Sequence, residues 1–230
     1  MIANDDVKDI ARIFAQIVDA KSKFTYEHSL GVASLSHYIA SQLGFDDDTL
    51  DKIEIAGLLH DLGKLRVPDE ILDKPAKLDT RDMHVMHRHS FETYQVLREI
   101  PGFDDIALWA SYHHEKPDGS GYPFKRIGQD LSQPARIIAV ADVFQALAQD
   151  RPYRAALGID EICSIIQQMA DDNLLDVKIV DYVVQHAADC HRHAVDLQAG
   201  GGNLLARVLA LGTRVVELEA GAVAGQQLGP

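Results

Sequence analysis

Apolar residues recur at helical spacing along almost the whole chain, and this periodicity limits the possible folds more than any other feature of the sequence. The first series consists of Val7, Ile10, Phe14 and Ile17. Similar patterns cover residues 79–99, 103–115, 134–148, 158–171 and 176–189. Turn-forming residues such as Pro75 and Gly158 separate them, and no alternating strand pattern appears before the C-terminal tail. We therefore predict an all-α fold, a helical bundle.

The length of 230 residues favours one main domain with a small appendage. We predict a linker helix within residues 1–21, a main domain over 22–190 and a tail over 191–230. Three consecutive glycines, Gly200 to Gly202, mark the one clear boundary in the sequence and are called the glycine seam. The period beyond them, over 203–219, fits a helix and a strand equally, so this segment can cap the core or mediate self-association.

The net charge of −13 disfavours binding to polymeric nucleic acid, which depends on a broad Lys/Arg surface. Two cysteines, Cys163 and Cys190, are too few for a disulfide framework and favour a reducing cytoplasm. The first residues are acidic where a signal peptide needs a basic start, and no apolar run approaches the roughly 20 residues of a membrane span. We expect a cytoplasmic protein without a membrane segment.

The chain has eleven histidines, several of them beside acids in short clusters. In the segment DKIEIAGLLHD, His60 lies three and seven residues after Gly57 and Ile53, so it shares their apolar face. A histidine on such a face is more often a core residue with a satisfied hydrogen bond than a ligand. The adjacent Asp61 favours a metal, because a buried carboxylate costs several kcal/mol unless it is paired or coordinates a cation.

Two further histidines are predicted to point inward from other helices. His28 opens a helical series with Val32 and later apolar residues, although a helix-start histidine near solvent is the alternative. On the 79–99 helix, we predict that His89 is a ligand and that His84 and His87 lie on the surface.

The segment HHEKPDGSGYP places two histidines, His113 and His114, at a helix end beside a rigid loop of glycines and prolines. Asp142 stands in the otherwise apolar PARIIAVADVFQAL, where no basic neighbour offers a partner. Seven ligands without a thiolate suit two metal ions, with Fe, Mn, Zn or Ni as candidates. The predicted ligand set is His28, His60, Asp61, His89, His113, His114 and Asp142.

Three long motifs in this order resemble the HD-GYP domain, a branch of the HD phosphohydrolase superfamily. They are LLHDLGKLRVPDEILDKPAKL, HHEKPDGSGYP and ADVFQALAQDRPYR, and the resemblance covers roughly residues 22–188. It implies an all-helical domain that holds two or three metals, often iron or manganese. It also implies hydrolysis of cyclic di-GMP to the linear dinucleotide pGpG or to GMP by a metal-bridging hydroxide. The same seven residues match the metal ligands of the family.

The resemblance also implies roles in catalysis and substrate binding. Asp61 would bridge the metals, and Lys64 would face the substrate phosphate, so both are expected to be catalytic. Basic residues of RPYR and the GYP loop would contact the dinucleotide, and the loop is also associated with partner proteins. The implied substrate-binding set is Lys64, Gly121, Tyr122, Pro123, Arg151 and Arg154.

The sequence departs from the family pattern at three positions. Phe24 stands where the three-metal subgroup carries a glutamate, which favours two metals here. Gln145 replaces a common aspartate, which predicts weaker activity or a shifted substrate preference. Ser90 replaces a frequent proline after His89, and we expect no consequence.

Several alternatives stay open at this point. The chain can hydrolyse a related nucleotide such as cyclic GMP-AMP, or it can be a catalytically weak module that binds a cyclic dinucleotide or a partner protein. A diiron oxygenase is disfavoured, because such relatives lack the GYP segment. Partners implied by the resemblance are a sensory or receiver domain and a GGDEF-type protein. A second copy of the chain is a further candidate partner, through the N-terminal helix or the 203–219 tail.

Overall fold

The computed structural model describes residues 4–21, 28–150 and 154–195. Within these residues it contains ten α-helices, two short 3-10 helices and no strand, so the prediction of an all-α bundle is confirmed. The 3-10 helices are Leu62–Arg66 and Gly128–Asp130. The α-helices are α1 (Asn4–Lys21), α2 (His28–Gln42), α3 (Asp47–Leu59), α4 (Asp69–Leu72), α5 (Thr80–Leu97), α6 (Asp104–Ser111), α7 (Gln133–Ala148), α8 (Ile159–Asp171), α9 (Val177–Gln185) and α10 (Ala187–Val195).

Aspartates fix the start of several helices. Asp46 accepts a hydrogen bond from the backbone N–H of Thr49 at the start of α3. Asp79 and Asp82 form a reciprocal capping box at the start of α5. Such caps satisfy backbone donors that have no partner inside the helix. The acidic residues therefore explain where these helices begin.

Two predicted helices end differently in the structure. The 103–115 pattern gives a helix that stops at Ser111, so the histidine pair lies in the turn beyond it. The 176–189 pattern is divided into α9 and α10 at His186, whose Nδ1 lies 2.9 Å from the carbonyl oxygen of Tyr182. Side chains and turns at helix ends override the apolar period, because that period does not report where the backbone bends.

The core is built around α2, α3 and α7. Leu35, Ile53 and Phe144, one from each helix, are fully buried. Helix α1 also belongs to this core, because Ala11, Ala15 and Val18 are buried. The boundaries predicted for the linker, main domain and tail stay predictions, and the glycine seam and residues 203–219 lie outside the described part of the chain. None of the described helices is long and apolar enough to cross a membrane.

Candidate metal centre

The HD turn, residues His60 and Asp61 at the end of α3, is fixed against α5. The hydroxyl of Thr93 donates to the carbonyl oxygen of His60 (3.0 Å) and accepts from the N–H of Gly63 (2.9 Å). A Cβ at Gly63 would lie 2.0 Å from the carbonyl oxygen of His89, so only glycine allows this approach. The turn and α5 are thereby held at a fixed distance.

The structure brings the seven predicted ligands together from the start of α2, the HD turn, α5, the turn after α6 and α7. All except His114 are buried. Their candidate ligand atoms lie within 4.8 Å of one another in three overlapping groups. The groups are His89, His113 and His114; His28, His60 and Asp142; and His60, Asp61 and His113.

Three of the imidazoles are oriented in the same way. The Nδ1 atoms of His60, His89 and His113 lie 2.7, 2.6 and 2.6 Å from the carbonyl oxygen three residues earlier. Because a carbonyl only accepts, each Nδ1 carries the proton and donates. This arrangement turns the Nε2 atoms toward the centre. In metal sites, a hydrogen bond from the other ring nitrogen fixes the orientation of a histidine ligand in the same way.

The close approach of His89 to His113 is compatible with a cation between them. Their Nε2 atoms lie 3.2 Å apart, and both Nδ1 atoms already use their protons elsewhere. Burial lowers the pKa of His89 to about 4, against the raising effect of Asp61, and it lowers the pKa of His113 well below its usual range. The two neutral rings therefore direct the lone pairs of their Nε2 atoms at each other.

His28 is held between two side chains of the α7 region. Its Nε2 lies 3.0 Å from Oδ1 of Asp142, and its Nδ1 lies 3.3 Å from Oε1 of Gln149. Gln149 is buried and occupies the position after α7. Gln149 was not among the predicted site residues, although it follows Asp142 by seven residues, which is two helical turns.

The centre contains buried polar atoms that the chain leaves without hydrogen bonds. Among the described residues, Nε2 of His60 and Oδ1 of Asp61 have no hydrogen-bond partner. Nε2 of His60 lies 3.4 Å from Oδ2 of Asp61, and Oδ1 of Asp61 lies 3.3 Å from Nε2 of His89. Unsatisfied buried groups are rare and costly. Their convergence with the lone pairs fits divalent metal ions.

The charges of the centre complement each other. Burial alone would raise the pKa of both carboxyls, but Lys64 and His60 hold that of Asp61 well below its usual range, and His28 and His60 do the same for Asp142. Burial lowers the pKa of His60, but the two carboxylates raise it, to about 9. Burial lowers the pKa of His114 to about 3, against the raising effect of Asp142. The carboxylates are therefore ionised and available to a cation.

The loop with the GYP residues is tied to the turn after α6. The backbone N–H of Tyr122 donates to the carbonyl oxygen of His114 (3.2 Å). The buried carboxylate of Glu115 accepts from the N–H groups of Phe124 (2.6 Å) and Arg126 (2.9 Å). A Cβ at Gly121 would lie 2.5 Å from the same carbonyl of His114. Glu115, which sequence reasoning missed, therefore fixes the loop beside the centre.

His87, predicted to lie on the surface, is only partly exposed. Its ring is partly buried and stacks on Tyr122, with ring centroids 3.9 Å apart and planes inclined by 13°. Tyr122 also contacts His114 (4.7 Å) and, edge-on, His89 (6.4 Å). The helical period placed His87 away from the core, but the GYP loop folds back over that face. His84, by contrast, is exposed as predicted.

A cavity of about 370 Å³ opens onto the centre. Its polar side contains Lys64, whose ammonium group pairs with Asp61. Five of the predicted ligands also line the cavity, and the other lining residues, from α5, α7 and the GYP loop, are apolar or aromatic. The lining residues are His28, Asp61, Lys64, Met86, His89, His114, Tyr122, Asp142, Val143, Ala146 and Leu147.

The predicted substrate-binding residues are placed unequally. Lys64 and Tyr122 line the cavity. The guanidinium of Arg154 donates to the carbonyl oxygens of Ala146 (2.7 Å) and Leu147 (3.4 Å), two residues of the cavity wall. Pro123 is partly buried beside Tyr122. Arg151 lies outside the described residues.

The departures from the family pattern also have places in the structure. Gln145 is fully buried over Gly31 of α2, and neither polar atom of its side chain has a hydrogen-bond partner among the described residues. Oγ of Ser90 lies 3.2 Å from Nε2 of His89. Phe24 lies outside the described residues. The functional consequences expected at these positions stay predictions.

A family model described as HD domain matches residues 12–179. The chain belongs to the HD domain family. The expectation of an HD domain of the HD-GYP type is confirmed. A solved structure described as Bd1817, an HDGYP protein from Bdellovibrio bacteriovorus, matches this HD domain with a TM-score of 0.57 and 20% identity. The match covers 70% of this chain and 51% of the other, and it supports the fold.

Two curated relatives are named as phosphodiesterases. The 3'3'-cGAMP-specific phosphodiesterase 1 of Vibrio cholerae is 38% identical over 83% of this chain and 44% of its own length. The cyclic di-GMP phosphodiesterase response regulator RpfG of Xanthomonas campestris is 40% identical over 65% of this chain and 40% of its own length. The matched part of this chain therefore spans less than half the length of each relative.

Proposed function

We propose that this HD domain is a metal-dependent phosphodiesterase that hydrolyses cyclic di-GMP to pGpG, GMP or both. The observation that carries the proposal is the convergence of five imidazoles, two carboxylates and Lys64 at the end of one open cavity. Such a donor set suits a two-metal site for phosphoryl chemistry. An apolar cavity with a few convergent polar groups is typical of small-ligand sites.

The seven predicted ligands would hold the metals, with Asp61 shared between them. When bound, two divalent ions would supply Lewis-acid stabilisation of the phosphoryl group and activate the attacking water. Imidazole and carboxylate donors without a thiolate favour iron or manganese and allow zinc or nickel. The low pKa values of His89 and His114 keep both rings neutral near pH 7 and able to coordinate.

Lys64 is the proposed partner of the substrate phosphate. Its ammonium group pairs with Asp61 at the polar side of the cavity, so it lies beside the proposed metal bridge. A cation fixed at this point stabilises negative charge as it develops on the phosphoryl oxygens. Asp61 and Lys64 are therefore the proposed catalytic residues.

The GYP loop is the proposed contact for a nucleotide base. Tyr122 presents an aromatic ring to the cavity, whose apolar lining includes Val143 and Leu147. Burial and the two carboxylates raise the pKa of Tyr122, so its hydroxyl stays protonated and can donate. Stacking on an aromatic ring is worth about 1–3 kcal/mol per base.

The remaining family residues would act at the rim of the cavity. We assign Gly121 and Pro123 to the shape of the loop beside the substrate. Arg151 and Arg154 are proposed to face the dinucleotide, because guanidinium groups bind phosphate oxygens in pairs. For Arg154 this contact would come in addition to its two bonds to the wall of the cavity.

The second candidate substrate is 3'3'-cGAMP. The observation that favours it is the 38% identity over 83% of the chain to a relative named for that activity. The replacement of a common family aspartate by Gln145 in α7 is compatible with a shifted preference. A catalytically weak module that binds cyclic dinucleotides is the alternative from another functional class.

A cytoplasmic location and association with a sensory or receiver domain, a GGDEF-type protein or a second copy of the chain are further proposals. The two cysteines, Cys163 and Cys190, are unpaired, which is compatible with a reducing compartment. The C-terminal tail, where self-association was one expectation, lies outside the described residues.

The test is anaerobic purification with metal analysis, followed by chromatography of separate incubations with cyclic di-GMP and 3'3'-cGAMP. Turnover of cyclic di-GMP that requires about two metals per chain supports the proposal. A clear preference for 3'3'-cGAMP would favour the second candidate. Full metal content with both substrates intact would favour the binding module.

A further inference from the structure

The last turn of α1 carries a buried acid that contacts the start of α2. Asp19 is 2% exposed. One carboxylate oxygen accepts from the backbone N–H of Ser29 (3.0 Å), and the other accepts from its hydroxyl (2.8 Å). Ser29 directly follows the proposed ligand His28 in the first turn of α2. Asp19 therefore fixes the backbone that presents this ligand.

The same turn of α1 contacts the segment after the HD turn. Nζ of Lys21 donates to the carbonyl oxygen of Leu65 (3.3 Å) and pairs with Asp69 (2.9 Å). Leu65 follows Lys64 in the 3-10 helix that continues directly from Asp61. Lys21 is thus bonded to the segment that supplies the proposed bridging carboxylate and the proposed phosphate partner.

These two contacts join parts of the chain that are far apart in sequence. Residues 19 and 21 bind one segment at residue 29 and another at residue 65, and both segments carry side chains of the centre. A negative carboxylate at the N-terminal end of a 15-residue helix is also favoured by the helix dipole. One helical turn is therefore bonded both to the residue that follows His28 and to the 3-10 helix that follows the HD turn.

We infer that the last turn of α1 is a clamp that sets the metal affinity of the centre, with Asp19 and Lys21 as positioning residues. Neither residue belongs to the predicted ligand set or to the cavity wall. Metal sites bind tightly when their ligands are held in place before the ion arrives, and loss of such support commonly costs about 10–100-fold in affinity. The inference rests on one part of the proposed function, namely that the seven predicted ligands bind metal. It does not depend on hydrolysis.

The experiment is calorimetric titration of metal-free protein with Mn²⁺, without substrate, for the wild type, Asp19→Ala and Lys21→Met. We expect Asp19→Ala to weaken Mn²⁺ binding by about tenfold or more. We expect a smaller loss for Lys21→Met, because its backbone contact is longer and its partner Asp69 is largely exposed. The conservative variant Asp19→Glu should recover part of the affinity.

Arg12→Gln is the matched control on the same helix. Arg12 pairs with Glu54 of α3 (2.5 Å) and with Asp9 (3.2 Å), so its loss loosens α1 without touching residue 29 or 65. We expect Arg12→Gln to lower the melting temperature while its Mn²⁺ isotherm stays that of the wild type. If Asp19→Ala does not fold, Ser29→Ala removes one of the two bonds and takes its place in the series.

Two results would overturn the inference. One is an unchanged Mn²⁺ isotherm for both clamp variants. The other is an equal loss of affinity in Arg12→Gln, which would indicate a general effect of α1 on stability. Normal Mn²⁺ binding without hydrolysis would contradict the proposed function and leave the clamp intact, whereas a wild type that binds no metal would refute both.

Discussion

The candidate metal centre and the apolar seam between α8 and α9 are both largely buried, yet they consist of opposite kinds of side chain. The seam consists of apolar side chains such as Ile162, Ile166, Ile179 and Val183, each at most 1% exposed. The centre consists of imidazoles and carboxylates, and two of its buried polar atoms, on His60 and Asp61, find no hydrogen-bond partner within the described part of the chain. The apolar side chains of the seam are buried against one another within the chain. The polar atoms of the centre would be satisfied by bound cations, which the chain itself does not provide.

This difference predicts that stability and function can be altered separately. Apolar burial contributes roughly 25 cal/mol per Å² without regard to orientation. Coordination and phosphoryl chemistry depend on the position and charge of a few atoms. Substitutions in the seam should therefore change folding, and substitutions in the centre should change metal binding and turnover.

The largest effect is expected for Asp61→Ala. This variant removes the proposed bridge between the metals, so it should retain no metal and lose more than about 10³-fold of its hydrolysis rate. That exceeds the loss expected for one electrostatic contact, about 10²–10³-fold. Metal analysis and product chromatography test it. Two metals retained per chain in this variant would refute the ligand scheme.

The seam is tested by Ile166→Ala. Loss of a fully buried isoleucine should lower the free energy of unfolding by about 2–5 kcal/mol. Urea unfolding of the metal-free protein measures this loss. The gain in stability on adding saturating Mn²⁺ should stay the same, because metal stabilisation depends on the ratio of free metal to the dissociation constant. If Mn²⁺ no longer stabilises the variant, the seam and the centre are coupled.

Lys64→Met should sharpen the comparison inside the centre. The side chain keeps its length but loses its charge, so the phosphoryl group loses one electrostatic contact. We expect kcat to fall by about 10²-fold while metal content stays normal. Steady-state kinetics with metal analysis on the same preparation test this. A rise in KM with unchanged kcat would instead make Lys64 a binding residue.

The smallest effect is expected for His87→Ala. Removing the ring that stacks on Tyr122 should loosen the GYP loop and raise KM by about two- to tenfold, since an aromatic pair contributes about 0.5–1.5 kcal/mol. His87→Phe should restore most of the loss. His84→Ala, on the exposed side of the same helix, is the matched control and should behave like the wild type. Equal effects of both alanine variants would exclude a specific role for the stack.

Much of the fold and of the candidate site could be predicted from the sequence. The helical period follows from local geometry, since residues three and four apart share a face. His60, Asp61 and Asp142 could be recognised because histidines and acids on apolar faces contradict the surrounding pattern. The same residues carry the resemblance to the HD-GYP domain.

Other features could not be predicted because they join residues distant in sequence. His87 was predicted to lie on the surface from its helical position, but Tyr122 of the GYP loop stacks on its ring. Gln149 reaches His28 across the packing of α7 on α2. Glu115 holds backbone groups nine and eleven residues later. No periodicity reports such contacts.

The sequence by itself determined the all-α class and the side chains that can bind metals, because period and side-chain chemistry are local properties. The tertiary structure decided how those side chains are supported. Thr93 fixes the HD turn, Glu115 fixes the GYP loop, and Asp19 and Lys21 join α1 to two segments of the centre. These contacts depend on how helices pack and how loops return, which is settled only when the whole core is buried together.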